Sequence, residues 1–294
     1  SGAYLAGRQA VSDHNFETAS KFQAKSVSVD PSNAKLLESL MVSYLAQGSV
    51  DRAISIAEVY RSNGYTNQIS QMILSAALLK NGKNETFLRF VKDASKITPI
   101  LKDLLSAYVL MGQGDEVNAN LIFDKTAKVQ GMGYFANFHR AMAQLSASKF
   151  DSAKETFDLI HNDQANPTRR SVIYHAKILI FQEQFNEAYN LIEKWFGPTY
   201  DPEIDELLSN ISGKKVYPKN SFPKINIAVA DVFHSIANLI SKEADPTFTL
   251  IYSRLAQYLD DTHVDSTLMT AELLVELGQH KLAIREHEKL SKSQ

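Results

Sequence analysis

A chain of 294 residues, 44% apolar, 10% aromatic and 22% charged, carries enough apolar material for a long core. Its net charge of -2 and isoelectric point near 6.4 supply no general attraction to nucleic acid or to an acidic membrane surface, so neither is expected as a partner. The lack of cysteine excludes disulfides, thiolate catalysis and thiolate metal sites, and no apolar run approaches the roughly 20 residues that cross a bilayer.

Taken in chain order, one residue position returns like a clock: Ala19, Ala53, Phe87, Ala119, Ala153, Ala188, then Thr249 and Ala283, with gaps of 34, 34, 32, 34, 35, 61 and 34 residues. Gly48, Gly82, Gly114 and Gly278 stand five positions before their clock residues, and Phe16, Val50, Phe150 and Phe185 stand three before theirs. Such self-similarity marks one unit copied along the chain. The unit reads as a helical hairpin. Leu37, Leu40, Met41 and Tyr44 line one face of a first helix, Gln47-Gly48-Ser49 makes the turn, and Val50, Ala53, Ile54, Ala57 and Tyr60 line the second helix. Pro31 and Pro99, two periods apart, are each expected to close a second helix, since proline cannot continue one.

These hairpins resemble the tetratricopeptide repeat (TPR). The resemblance covers nearly the whole chain and is carried best by Phe16-Glu-Thr-Ala19 with Asp30-Pro31-Ser-Asn33, by Ala46-Gln-Gly48-Ser-Val50-Asp-Arg-Ala53, and by Leu274-Val-Glu-Leu277-Gly278-Gln-His-Lys-Leu-Ala283-Ile284. Phe87 and Thr249 stand where alanine is usual, and Arg140 where a core leucine is expected. The stretch from Ile236 to Leu274 also looks like that of poorly characterised bacterial TPR proteins. The resemblance implies an all-α, right-handed superhelical solenoid of about eight antiparallel helix-turn-helix repeats. Residues 1–200 hold repeats one to six, 201–224 an inserted short helix and loop, and 225–294 repeats seven and eight, in one continuous solenoid.

The gap between Ala188 and Thr249 exceeds one period by about 27 residues, which the insertion houses. Asp201 caps a helix with Pro202 at its first position and Gly213 at its end. From Lys214 to Lys224 two prolines and no periodicity predict a solvated loop; the alternative reading of its four lysines beside Tyr217 and Phe222 is a contact for an acidic partner or phosphate.

No catalytic constellation emerges. His280 and His287 lie seven apart with Glu286 and Glu288 nearby, without the third ligand or tighter spacing that zinc wants, so no metal or other cofactor is expected. Ser146-Ala-Ser-Lys149 has a serine–lysine spacing but no companion motif. Gly112-Gln-Gly114 and Gly131-Met-Gly133 lack a preceding strand and read as hairpin turns.

What remains is a surface. In TPR solenoids the first helices line a concave groove, and the resemblance carries that role here onto Met72, Leu104, Tyr108, Phe138, Met142, Ile173 and Lys177. The lysine and asparagine that clamp a terminal carboxylate in some TPR proteins are missing, which disfavours a chaperone-tail receptor. The apolar middle of the groove is expected to take an amphipathic helix or an extended apolar peptide, unless those side chains pack as core. The last helix carries Leu282, Ala283, Ile284, His287 and Leu290 before the end at Gln294, so a further repeat, a partner or a second copy is expected to cover it, with self-association through it as one form. The function expected is that of a non-catalytic protein-binding scaffold or adaptor in a bacterial periplasm or cytoplasm, the periplasm preferred. The alternatives are a recruiting arm for an enzyme domain beyond residue 294 and an apolar-ligand binder.

Overall fold

A computed structural model describes residues 2–163 and 167–292, all of whose regular structure is helical. Six hairpins come first: α1 (Gly2–Ser12) with α2 (Phe16–Val29), α3 (Ala34–Ala46) with α4 (Val50–Ser62), α5 (Gln68–Lys80) with α6 (Asn84–Asp93), α7 (Pro99–Gly112) with α8 (Glu116–Ala127), α9 (Gly133–Ser146) with α10 (Phe150–Asp163), and α11 (Arg169–Phe181) with α12 (Phe185–Trp195). The insertion supplies α13 (Pro202–Ser212), a single 3-10 turn and α14 (Ile225–Ala228). Then come α15 (Ala230–Ile240) with α16 (Pro246–Leu259) and α17 (Val264–Glu276) with α18 (His280–Lys292). The chain is thus all-α and TPR-like, with eight hairpins among the described residues.

The clock has a physical cause in packing and in turn geometry. All eight clock residues are buried, because each sits where the second helix of a hairpin comes closest to the first. Five residues before each of seven of them, the backbone turns left-handed: His14, Gly48, Gly82, Gly114, Ser148, Glu183 and Gly278 have φ of +51°, +89°, +65°, +86°, +63°, +60° and +71°. The following N–H then reaches back to a carbonyl in the last turn of the first helix, as from Ser49 to Tyr44 at 2.8 Å and from Gln184 to Leu179 at 2.8 Å. His14, Ser148 and Glu183 adopt this conformation without glycine's freedom, which is why a glycine pattern alone finds only some of the turns. Pro99 differs from expectation. It opens α7 instead of closing α6, a position where proline's missing N–H costs nothing.

Two compact units form, one from residues up to 102 together with those from 229 onward, the other from 103–228. In the first unit α16 packs against α3 and α5. Arg254, 2% exposed, projects from α16; its Nε and Nη2 donate to the Ala46 carbonyl at 3.1 and 3.0 Å, and Nη1 donates to Glu286 Oε1 of α18 at 2.6 Å. Gly48 leaves room for it, since a Cβ there would lie 3.3 Å from Nη1. Burial lowers the Arg254 pKa against the opposing pull of Glu286, while Arg254 and Lys289 outweigh burial to hold the Glu286 carboxyl below its ordinary value.

The last helix is covered in part from within its own unit, so the external cover expected for its apolar face is not needed at Leu282 and Ala283. Leu282 and Ala283 join Phe16, Ala46, Leu250 and Leu274 in one apolar cluster, and Arg285 pairs with Glu17 at 2.7 Å. Ile284 stays exposed; Ser293 and Gln294 lie outside the described residues.

The second unit uses the insertion as packing. Asp201 caps α13 as expected, and Arg169 grips its carboxylate with two hydrogen bonds of 2.7 and 2.9 Å. Ile204 and Leu207 of α13 enter a cluster with Ile173, Ala176, Ile180 and Ile192. The loop after it is less solvated than its composition predicts. Its four lysines are exposed, but Phe222 is buried against the rings of Phe150 and Phe181, and Ile225 seats on Gly112, where a Cβ would come within 2.6 Å.

Removing one member of the buried pair strands the other charge, so Arg254→Leu is expected to lower the unfolding free energy by about 3–5 kcal/mol in urea denaturation, and Arg254→Leu with Glu286→Leu by less. Equal losses in the single and double variants would contradict the pairing.

Candidate functional site

The seven predicted groove residues lie on first helices, yet six of them are closed to solvent. Met72 is fully buried on α5, one of the helices against which α16 packs. Leu104 and Tyr108 are buried on α7, where the Tyr108 hydroxyl meets His139 Nδ1 at 3.0 Å and its ring meets Phe123 edge-on. Phe138 and Met142 are buried on α9, which α14 covers, and Ile173 is sealed by α13. Lys177 keeps 17% of its side chain exposed and donates to Glu203 Oε1 at 2.8 Å. The apolar groove expected from the sequence is closed at these positions, because the insertion and the carboxyl-terminal hairpins supply the apolar area that a ligand was expected to supply.

The remaining predicted motifs also have structural partners. Ser146 Oγ donates to the Met142 carbonyl at 2.7 Å while Lys149 pairs with Glu116, so hydroxyl and amine serve different neighbours. Among the described residues no group of three or more potential ligands could hold a metal ion. Arg140, the misfit at a leucine position, lays its guanidinium 5.8 Å over the Phe123 ring and pairs with Asp124 at the surface.

Two buried polar clusters escaped the sequence reading. In the first unit His263 Nδ1 accepts from the Ser266 N–H at 3.1 Å, so Nε2 carries the ring proton toward Asp231 Oδ1 at 3.3 Å, and Ser266 Oγ lies 3.2 Å from His234 Nδ1. Carboxylate, imidazole and hydroxyl are all sealed, which makes this a packing network. In the second unit His161 and His175 meet through their Nδ1 atoms at 2.7 Å, with Ser171 Oγ 3.1 Å from His161 Nε2 and Phe157 stacked on the His175 ring. Burial, with His175 adding, pushes His161 down to about 3; burial pushes His175 to about 4 against the pull of Asp158.

One open cavity does collect chemistry. In the first unit a cleft of about 540 Å³ runs between α4 and α6, with α5 as its floor and Tyr258 of α16 among its lining residues. The helical period places Asp51, Ile54, Glu58 and Arg61 on one face of α4, and Lys83, Thr86, Phe90 and Asp93 along the α6 side. The floor is apolar, with Leu74, Ala77 and Leu78. Six charged side chains stand on the rim: Asp51, Glu58 and Arg61 from α4, Lys83, Arg89 and Asp93 from the α6 side, all exposed. Among the described residues none of the six forms an ion pair. In the sequence these charges look like any solvated helix face, and only the placing of α4 and α6 on either side of α5 gathers them.

No family model and no curated protein matches the chain. Among solved structures, the TPR domain of P58(IPK) is 11% identical, with 99% of this chain and 92% of that chain covered at a TM-score of 0.30. The structure of Naa15/Naa10 bound to HypK-THB is 12% identical, with 94% of this chain and 41% of that chain covered at a TM-score of 0.34. No described helix is long and apolar enough to cross a membrane.

Both rings of the His161–His175 pair are neutral when folded and titrate near 6.5 once unfolded. The unfolded chain then binds more protons below pH 6.5, so stability is expected to fall as pH drops from 6.5 toward 4, by up to about 1.4 kcal/mol per pH unit for each ring. Urea titrations across that window check it, and His161→Phe is expected to reduce the slope. A slope that the substitution leaves unchanged would assign the pH dependence elsewhere.

Proposed function

We propose that the chain is a non-catalytic scaffold or adaptor that binds a protein partner on the outward face of its hairpins. The observation that carries this reading is the α4–α6 cleft, whose floor of buried Leu74 and half-buried Ala77 and Leu78 has six unpaired charges around it. Charges that make no internal pair are available to a partner, whose approach would desolvate them against complementary groups. A partner entering over the first helices would instead have to displace α16 from α3 and α5, breaking the Arg254 contacts, or α13 from α11. The buried groove positions then act as packing that holds the hairpins in register, and Lys177 steadies α13 through Glu203.

The test is site-specific photo-crosslinking in lysate of the source organism, with the crosslinker placed at Thr86 in the cleft or at Val29, exposed outside it. A discrete protein captured from Thr86 and not from Val29 is the expected result. Capture of no protein from either position would contradict a binding role.

A further inference from the structure

The cleft has three surfaces with different chemistry, and together they specify the shape of what fits. Its floor is apolar; the α4 wall carries Asp51 and Glu58, and the α6 wall carries Lys83 and Arg89. An extended peptide has only two faces, so it can satisfy the floor or the walls but not both at once. An α-helix presents an apolar stripe at i, i+3, i+4 and i+7 and a separate flank on either side of it. We propose that the cleft takes an amphipathic helix of the partner protein, with basic residues on the flank facing α4 and acidic residues on the flank facing α6.

This inference rests on the protein-binding reading above and adds the class of ligand. The length follows from the walls. Asp51 and Arg61 are ten residues apart, a rise of about 15 Å, so about three turns of a docked helix lie between them. At the Arg61 and Asp93 end the signs on the two walls reverse, so the uniform part of the match runs along Asp51 and Glu58 on one wall and Lys83 and Arg89 on the other. The opposite charges across the cleft do not neutralise each other, since no ion pair joins the two walls, and an inserted helix gives each wall a partner. The apolar stripe supplies the burial, and the flanks supply orientation and selectivity.

The experiment uses the full chain and three fluorescein-labelled, lactam-stapled helices of about fourteen residues that share one leucine stripe. One has lysine on one flank and glutamate on the other, one has lysine on both, and one has glutamate on both. Fluorescence anisotropy is expected to show the mixed-flank helix binding at least tenfold more tightly than either uniform helix. With Lys83→Glu and Arg89→Glu both walls become acidic, and preference is expected to move to the all-lysine helix; both positions are exposed, and circular dichroism checks the fold. If that double variant fails to fold, Arg89→Glu alone carries the same comparison. Equal affinities, no binding, preference unchanged in the variant, or equal binding by a proline-broken version of the mixed peptide would each overturn the helix assignment. A partner captured from lysate equally by wild type and double variant would overturn the cleft while leaving the scaffold reading intact; capture of no partner at all would remove the reading itself.

Discussion

The Arg254 guanidinium ties three parts of the larger unit together. It reaches from α16 to the carbonyl that ends α3 and to the Glu286 carboxylate on α18, in surroundings that exclude water. A charge in such a place is tolerable only when its donors are satisfied, and here Gln257 and Glu286 complete the set. The constraint runs both ways. Because Arg254 needs the Ala46 carbonyl, the seventh hairpin must lie on the second, and because it needs Glu286, the eighth is tied to the seventh; separately, Leu282 and Ala283 of the eighth meet the cluster around Phe16 of the first.

That arrangement decides which faces stay open to solvent. A repeat protein that leaves its first helices open has a ready-made concave surface, but here those helices are packed from within, by α16 in one unit and by α13 and α14 in the other. The residues on them are correspondingly apolar and close-fitting. Among the faces left to solvent, the α4–α6 cleft sets charge around a small apolar floor. On the protein-binding reading proposed above, specificity comes from matching signs at short range, with the apolar floor supplying most of the affinity.

The hairpins were legible in the sequence because one steric requirement repeats: a small or fitted side chain where two helices touch, and a left-handed turn five residues before it. The capped helix at Pro202 was legible for the same reason, since Asp201 and Pro202 act locally. What covers the first helices was not, because it depends on contacts between residues far apart in the chain. Gln68 with Tyr252 and Lys80 with the Leu259 carbonyl are separated by 184 and 179 positions, beyond any periodic pattern. One signal was available. Arg254 interrupts an apolar run from Leu250 to Ala256, and a lone charge inside such a run implies a buried partner. The cleft gave no comparable sign, since its charges occur singly at ordinary surface positions.

The chain itself fills the faces its first helices offer, and methionine oxidation reads this out. Met72 and Met142 are fully buried on those faces, whereas Met132 and Met269 are only partly buried. Under brief peroxide treatment of the folded chain, peptide mass spectrometry is predicted to find Met132 and Met269 converted to sulfoxide well before Met72 and Met142, with the difference abolished in urea. Oxidation of Met72 and Met142 as fast as Met132 in the folded chain would show the groove to be open and contradict the account.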